Sequence, residues 1–202
     1  MNKQTGKLVI FTAPSGAGKT TIVQHLIAKY PQLGFSISAT TRTQRNHEID
    51  GKHYYFISVE EFKNKVAQGD FLEWEEVYEN QYYGTLHSEI NRLWALGKHI
   101  IFDIDVRGAY NIKQAYPDQT LAIFVRPPSI EILFDRLRNR HTETPQSLEK
   151  RFARARLEMT YEGKFDVTLV NDVLETVLKE AEFLVEDFLG IQEPCCSSAD
   201  KI

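Results

Sequence analysis

Cysteine is almost missing from this chain. Cys195 and Cys196 are the only two, side by side near the carboxyl end, which excludes a disulfide-stapled secreted fold. No apolar run approaches the roughly 20 residues that a transmembrane helix needs, and the amino terminus lacks the apolar core of a signal peptide, which points to a cytoplasmic address. Glycine (11) and proline (7) are too sparse for a low-complexity or collagen-like chain. Positive charge is in deficit, with 24 Lys and Arg against 28 Asp and Glu and a net charge of −4, which argues against non-specific nucleic-acid binding. What is present is ordinary for a soluble globular protein: 42% hydrophobic and 26% charged residues in a length of 202, enough for one domain, or one domain with an inserted lid.

Short β-branched runs alternate with longer helical ones, the pattern of an α/β fold. Strands are expected at 7–12, 35–39, 99–103, 120–125 and 165–170, linked through helices as one mostly parallel sheet. A helix over 19–30 puts Ile22, Val23, Leu26, Ile27 and Tyr30 on one face. Ser58 and Glu61 form a capping box for a helix through Gln68, and Gly97 ends another that starts near Leu86. Residues 40–85 carry shorter strands, at 53–57, 71–78 and 82–85, and are expected to form a separate mixed lobe. Residues 136–156 are expected to form a helical lid within a core made of 1–39 and 86–190, and 191–202 a small, polar, flexible tail.

Ligands of open parallel sheets collect at the carboxyl ends of the strands, and the sharpest motifs fall there. Ala13-Pro14-Ser15-Gly16-Ala17-Gly18-Lys19-Thr20, followed by Thr21, lies between the first strand and the first helix. It matches the P-loop pattern G-x-x-x-x-G-K-[ST] with alanine in place of the first glycine, and such a loop points backbone N–H groups and a helix amino terminus at phosphate oxygens. In that pattern Lys19 reaches the β- and γ-phosphates and the Thr20 hydroxyl binds Mg²⁺. Asp103 ends the apolar run Ile-Ile-Phe-Asp, where a carboxylate holds Mg²⁺ directly or through water. Arg42 and Arg45, three apart in a polar loop, offer paired forks for one phosphate, with tyrosine hydroxyls nearby.

The order of these elements resembles that of guanylate kinases, the family that phosphorylates GMP from ATP. The elements are Ala-Pro-Ser-Gly-Ala-Gly-Lys, Thr-Thr-Arg-x-x-Arg-x-x-Glu, Gly-Lys-x-Tyr-x-Phe, Phe-Leu-Glu-Trp, Tyr-Tyr-Gly-Thr, Asp-Ile-Asp, Arg-Pro-Pro-Ser and an arginine-bearing lid, in sequence from about residue 7 to 189. The resemblance implies a P-loop kinase: a mostly parallel central sheet flanked by helices, an inserted mixed α/β nucleotide-acceptor lobe and a helical lid. It implies a magnesium-dependent enzyme of purine nucleotide metabolism whose partners are ATP and GMP, with no nucleic acid and no membrane; use of dGMP and self-association into a homo-oligomer stay open. By the same resemblance Arg42, Arg45, Tyr54 and Tyr83 bind the GMP phosphate, Glu48 orients the arginines, and Ser38, Glu73, Thr85 and Asp105 meet the guanine, with Asp103 beside the GMP as well as the metal. Arg136, Arg140 and Arg151 of the lid face the phosphates. Asn171 either meets the adenine or caps the helix that follows it.

The guanine assignment has a chemical basis. Guanine presents N1–H and N2–H₂ donors beside an O6 acceptor, so carboxylates accept from the first pair and hydroxyls donate to O6. Adenine reverses that order and leaves buried carboxylates without donors. Three departures from the family pattern stand out: one extra residue within Glu79-Asn80-Gln81, Arg107 in place of a usual glutamine, and His141 in place of a common glycine. Two other functions compete. A binding module that has lost catalysis would not need Lys19, Thr20 and the lid arginines together. A kinase for another phosphorylated acceptor, such as a ribose bisphosphate, would not need Glu73 and Asp105 set for a purine edge. A regulatory GTPase is disfavoured because no Asn-Lys-x-Asp motif occurs. The basic residues are expected to converge on one cleft, with acidic residues on the helices outside it.

Overall fold

A computed structural model describes residues 6–139 and 145–191, the side chains of 145–147 excepted. Arg140 and His141, singled out above, and the paired cysteines lie outside the described residues. In chain order the strands and helices are β1 (Leu8–Thr12), α1 (Lys19–Lys29), β2 (Leu33–Phe35), β3 (Ala39–Thr40), β4 (Tyr55–Phe56), α2 (Val59–Gln68), β5 (Phe71–Tyr78), β6 (Gln81–Leu86) and α3 (His87–Ala95). Then come β7 (His99–Ile104), α4 (Val106–Ala115), β8 (Thr120–Arg126), α5 (Ile130–Arg138), α6 (Pro145–Met159), β9 (Val167–Val170) and α7 (Leu174–Leu189).

Every residue of β1 is buried, which is why its sequence is an unbroken apolar run rather than an alternating one. It is the middle strand of a five-stranded sheet of order β2-β7-β1-β8-β9, with every pairing parallel. Period two sends its side chains to opposite faces. Val9 and Phe11 pack with α1, α5 and α7 through Ile22, Leu26, Leu133, Val177 and Val185. Leu8 and Ile10 pack with α3 and α4 through Ile90, Leu93, Ala109 and Ile112. The central sheet is therefore covered on both faces, as expected of a parallel sheet.

The strand expected over 35–39 is divided between two sheets. Leu33–Phe35 belongs to the central sheet, and Ala39–Thr40 opens a four-stranded mixed sheet of order β4-β3-β6-β5. The crossing is fixed by tertiary hydrogen bonds. Ser36 N–H donates to Ile101 O, and Ile37 N–H donates to the buried carboxylate of Glu89 at 3.1 Å. The strand expected over 53–57 is only two residues long. Phe62 of α2 stacks on Phe71 at 4.3 Å and packs on Tyr82, giving the second sheet a small core of its own. As expected, Ser58 caps α2, its Oγ accepting from Glu61 N–H at 3.0 Å.

Candidate active site

The P-loop residues run from the carboxyl end of β1 into α1. Gly18 occupies the N-cap of α1 at φ 91°, and a Cβ there would lie 2.3 Å from Asn171 Nδ2, so both backbone and space demand glycine. Ala13 has no positive φ and packs into the core, so alanine serves where the pattern has glycine. The parallel register sets Phe11 opposite Asp103 and brings three predicted residues together: Lys19 Nζ pairs with Asp103 Oδ1, and Thr20 Oγ1 donates to Asp103 Oδ2 at 2.6 Å. Asn171 does not cap the last helix. The N-cap of α7 is Val173, without a side-chain bond, and Asn171 Nδ2 instead donates to Ala17 O at 2.6 Å, a buried tie between the end of β9 and the P-loop.

From the P-loop a cleft of about 400 Å³ extends to the second sheet. Its walls include Ser15 to Thr21, Ser38, Arg45, Tyr54, Glu73, Tyr83, Asp103, Asp105 and Arg151. At its far end Glu73 is buried opposite Thr85 in the β5–β6 ladder, and Thr85 Oγ1 donates to Glu73 Oε1 at 2.7 Å. In this arrangement the Thr85 hydroxyl proton serves Glu73, while Ser38 lines the cleft. Burial pushes the Glu73 carboxyl up to about 7. A Cβ on Gly108 would sit 2.5 Å from Glu73 Oε2, so the first turn of α4 approaches that carboxylate closely because it carries no side chain there. Asp105 caps α4, accepting from the N–H groups of Arg107 and Gly108 at 2.8 and 3.1 Å. Burial alone would raise Asp105, but a hydrogen bond from Glu75 and those two amides outweigh it and hold it below the ordinary range.

The Arg42 guanidinium is engaged by neighbouring side chains. It donates to Glu48 through both Nη atoms at 2.9 and 2.7 Å, to Thr43 O and to Tyr83 Oη, and it lies 5.2 Å from the Tyr54 ring. Glu48 also accepts from Arg45 N–H at 2.8 Å. The Arg42 fork holds the Glu48 carboxyl down at about 2. Glu48 thus ties the Arg42 side chain to the Arg45 backbone, Arg45 lines the cleft, and Arg42 bonds the Tyr83 hydroxyl of the cleft wall. In the lid, Arg136 donates to Asn171 O at 3.3 Å, while Arg151 is on the cleft wall.

Sequence reasoning missed three residues. Glu75 is buried, as are Glu158 and most of Arg154, and both Arg154 and Glu158 line the cleft. Arg154 Nε donates to Glu158 Oε1 at 2.7 Å and its Nη1 to Val77 O at 2.8 Å. Glu158 Oε2 accepts from the P-loop amide of Ser15 at 3.2 Å. Beyond the expected Glu73, Asp103 and Asp105, Glu158 of α6 also lines the cleft. The signal for Glu75 was in the sequence: it is two residues from Glu73, and strand periodicity puts them on one face.

A family model described as guanylate kinase matches residues 5–188. The chain belongs to the guanylate kinase family. It is 44% identical over 185 residues to a guanylate kinase of Bacteroides fragilis, covering 92% of this chain and 91% of that one. It is 45% identical over 190 residues to one from Bacteroides thetaiotaomicron, covering 94% and 93%. The crystal structure of guanylate kinase from Anaplasma phagocytophilum superposes with a TM-score of 0.70 at 26% identity, over 92% of this chain and 87% of that chain.

Family membership gives the departures meaning. Near the expected extra residue, β5–β6 register shifts between Glu76 and Tyr78 and Asn80 turns at φ 59°. Tyr83 keeps its place opposite Glu75 and on the cleft wall. Arg107 pairs with a carboxylate, its Nη1 lying 3.3 Å from Glu75 Oε1. The Thr20 hydroxyl and the Asp103 carboxylate are hard oxygen donors already within hydrogen-bond distance of each other, a donor set that suits Mg²⁺. Among the described residues no helix is long and apolar enough to cross a membrane.

Proposed function

We propose that this chain transfers the γ-phosphoryl group of ATP to GMP in line, giving ADP and GDP, in the cytoplasm and with Mg²⁺. The observation that carries this reading is one cleft with a P-loop at one end and the buried Glu73 and half-buried Asp105 carboxylates at the other. In this reading the P-loop amides and Lys19 hold the ATP phosphates. Thr20 and Asp103 hold Mg²⁺, which when bound neutralises phosphate charge. Asn171 offers its Oδ1 to the adenine amino group while its Nδ2 fixes the P-loop.

The acceptor lobe, residues 40–85, orients GMP. Arg42, Arg45, Tyr54 and Tyr83 take its phosphate, with Glu48 orienting the two arginines. Glu73 and Asp105 accept from guanine N1–H and N2–H₂, with Ser38 donating to O6 and Thr85 steering Glu73. The GMP phosphate is itself an anionic nucleophile, so no general base is required. Charge spread over the equatorial oxygens of a loose transition state is met by Lys19 and by Arg136, Arg140 and Arg151 of the lid. Closing the lid also excludes the water that would hydrolyse ATP. A coupled assay of ADP formation from ATP tests the whole reading: turnover is expected with GMP and little with AMP or CMP. Equal turnover of AMP, or none with any acceptor, would overturn it.

A further inference from the structure

The lid helix is joined to both ends of the cleft by a single guanidinium. Arg154 and Glu158 are four apart on α6 and share a face. Arg154 Nε donates to Glu158 Oε1 at 2.7 Å, and the other Glu158 oxygen accepts from Ser15 N–H of the P-loop. Arg154 Nη1 donates to Val77 O at 2.8 Å on β5. Val77 sits where the β5–β6 register shifts and has no partner in that ladder, so its carbonyl is left to meet α6. Arg154 Nη2 lies 3.6 Å from Glu75 Oε2, a buried oxygen with no hydrogen-bond partner. Glu75 is buried on the same face of β5 as Glu73, two residues on, and it and Asp105 shift each other's ionisation in opposite directions. Contacts therefore run from this carboxylate face of the acceptor strand, through Arg154 and Glu158, to the loop that cradles ATP.

We propose that Arg154 is a positioning residue that couples the two nucleotide sites, by fixing the lid helix to the bulged acceptor strand and holding Glu158 on the P-loop. This rests on the ATP and GMP reading above. An exposed pair at this spacing would do little, but here the side chains are 18% (Arg154), 6% (Glu158) and 10% (Glu75) exposed, so each constrains the next. A nucleotide that orders one end of the cleft then orders the other, and the second nucleotide pays less to bind.

Calorimetric titration tests this, with GMP titrated into protein with and without a saturating, non-hydrolysable imido analogue of ATP. The wild type is expected to bind GMP about fivefold or more tightly when the analogue is bound. Arg154→Met is expected to bring that ratio to near one in a protein that still unfolds cooperatively, at a lower melting temperature because Glu158 and Val77 O lose a partner, and Arg154→Lys, which keeps the charge but not the fork, is expected not to restore it. Coupling retained in Arg154→Met, or absent from the wild type, would overturn the proposal. Should Arg154→Met fail to fold, Glu158→Gln keeps the volume and an acceptor for Ser15 N–H but removes the carboxylate facing Arg154, and it is read in the same way. A wild type that binds neither nucleotide would sink the functional reading itself, whereas binding of both without coupling would sink only this inference.

Discussion

Glu73 carries the strongest conflict between environment and task. Burial holds its carboxyl at about 7, yet only the ionised form accepts from both guanine donors. Below that pH a proton sits where guanine presents N–H. The expected result is a kcat/KM for GMP that rises with pH through about 7, a limb absent from Glu73→Gln and from the dependence on ATP. A flat GMP profile would remove the carboxylate from recognition. Linkage runs the opposite way. A carboxylate raised from 4.5 contributes stability that is fully present below 4.5 and is lost as pH rises through about 7. The fold thus gives up that contribution over the interval in which the guanine reader becomes ionised. Thr85 eases the conflict, since its hydroxyl donates to Glu73 and favours the charged form.

Among the elements, the tie between β9 and the P-loop deserves a direct test, because it was hidden in the sequence. Asn171→Ala leaves the Ala17 carbonyl without its buried partner, at a cost of about 1–3 kcal/mol. Urea unfolding is expected to register that loss while KM for ATP rises, and a loss of stability with an unchanged KM would show that the tie does not position the loop. The central sheet, the P-loop and the cap of α2 were legible because each is a local pattern: an apolar run, a glycine at positive φ, a serine three residues before its partner amide. The division of 33–40 between two sheets was not, because Ile37 N–H is claimed by Glu89 from α3, and no local signal names that donor. Arg42 is expected at the phosphate; in the structure Glu48, six residues on, takes both its Nη atoms and the Tyr83 hydroxyl its Nε, a pairing that no local pattern names. Glu75 could have been found by strand periodicity. Arg154 could not, since its Val77 acceptor depends on a bulge set by the pairing of two strands.

At the scale of the whole molecule, a net charge of −4 conceals a cleft in which cationic and anionic side chains are sorted by task. Lys19, Arg45 and Arg151 line it together with Glu73, Asp103, Asp105 and Glu158, and phosphates and a base edge need both signs. In the proposed reading the buried Glu73 and half-buried Asp105 carboxylates at the acceptor end select guanine. The most direct measurement is kcat/KM for GMP and for AMP, taken on the wild type and on Glu73→Gln in the same assay. The wild type is expected to favour GMP by about 10⁴-fold, as a site with buried polar groups left unpaired by the wrong ligand does, and Glu73→Gln to lower that ratio by about a hundredfold, mostly through GMP. A ratio unchanged by the substitution would contradict the account.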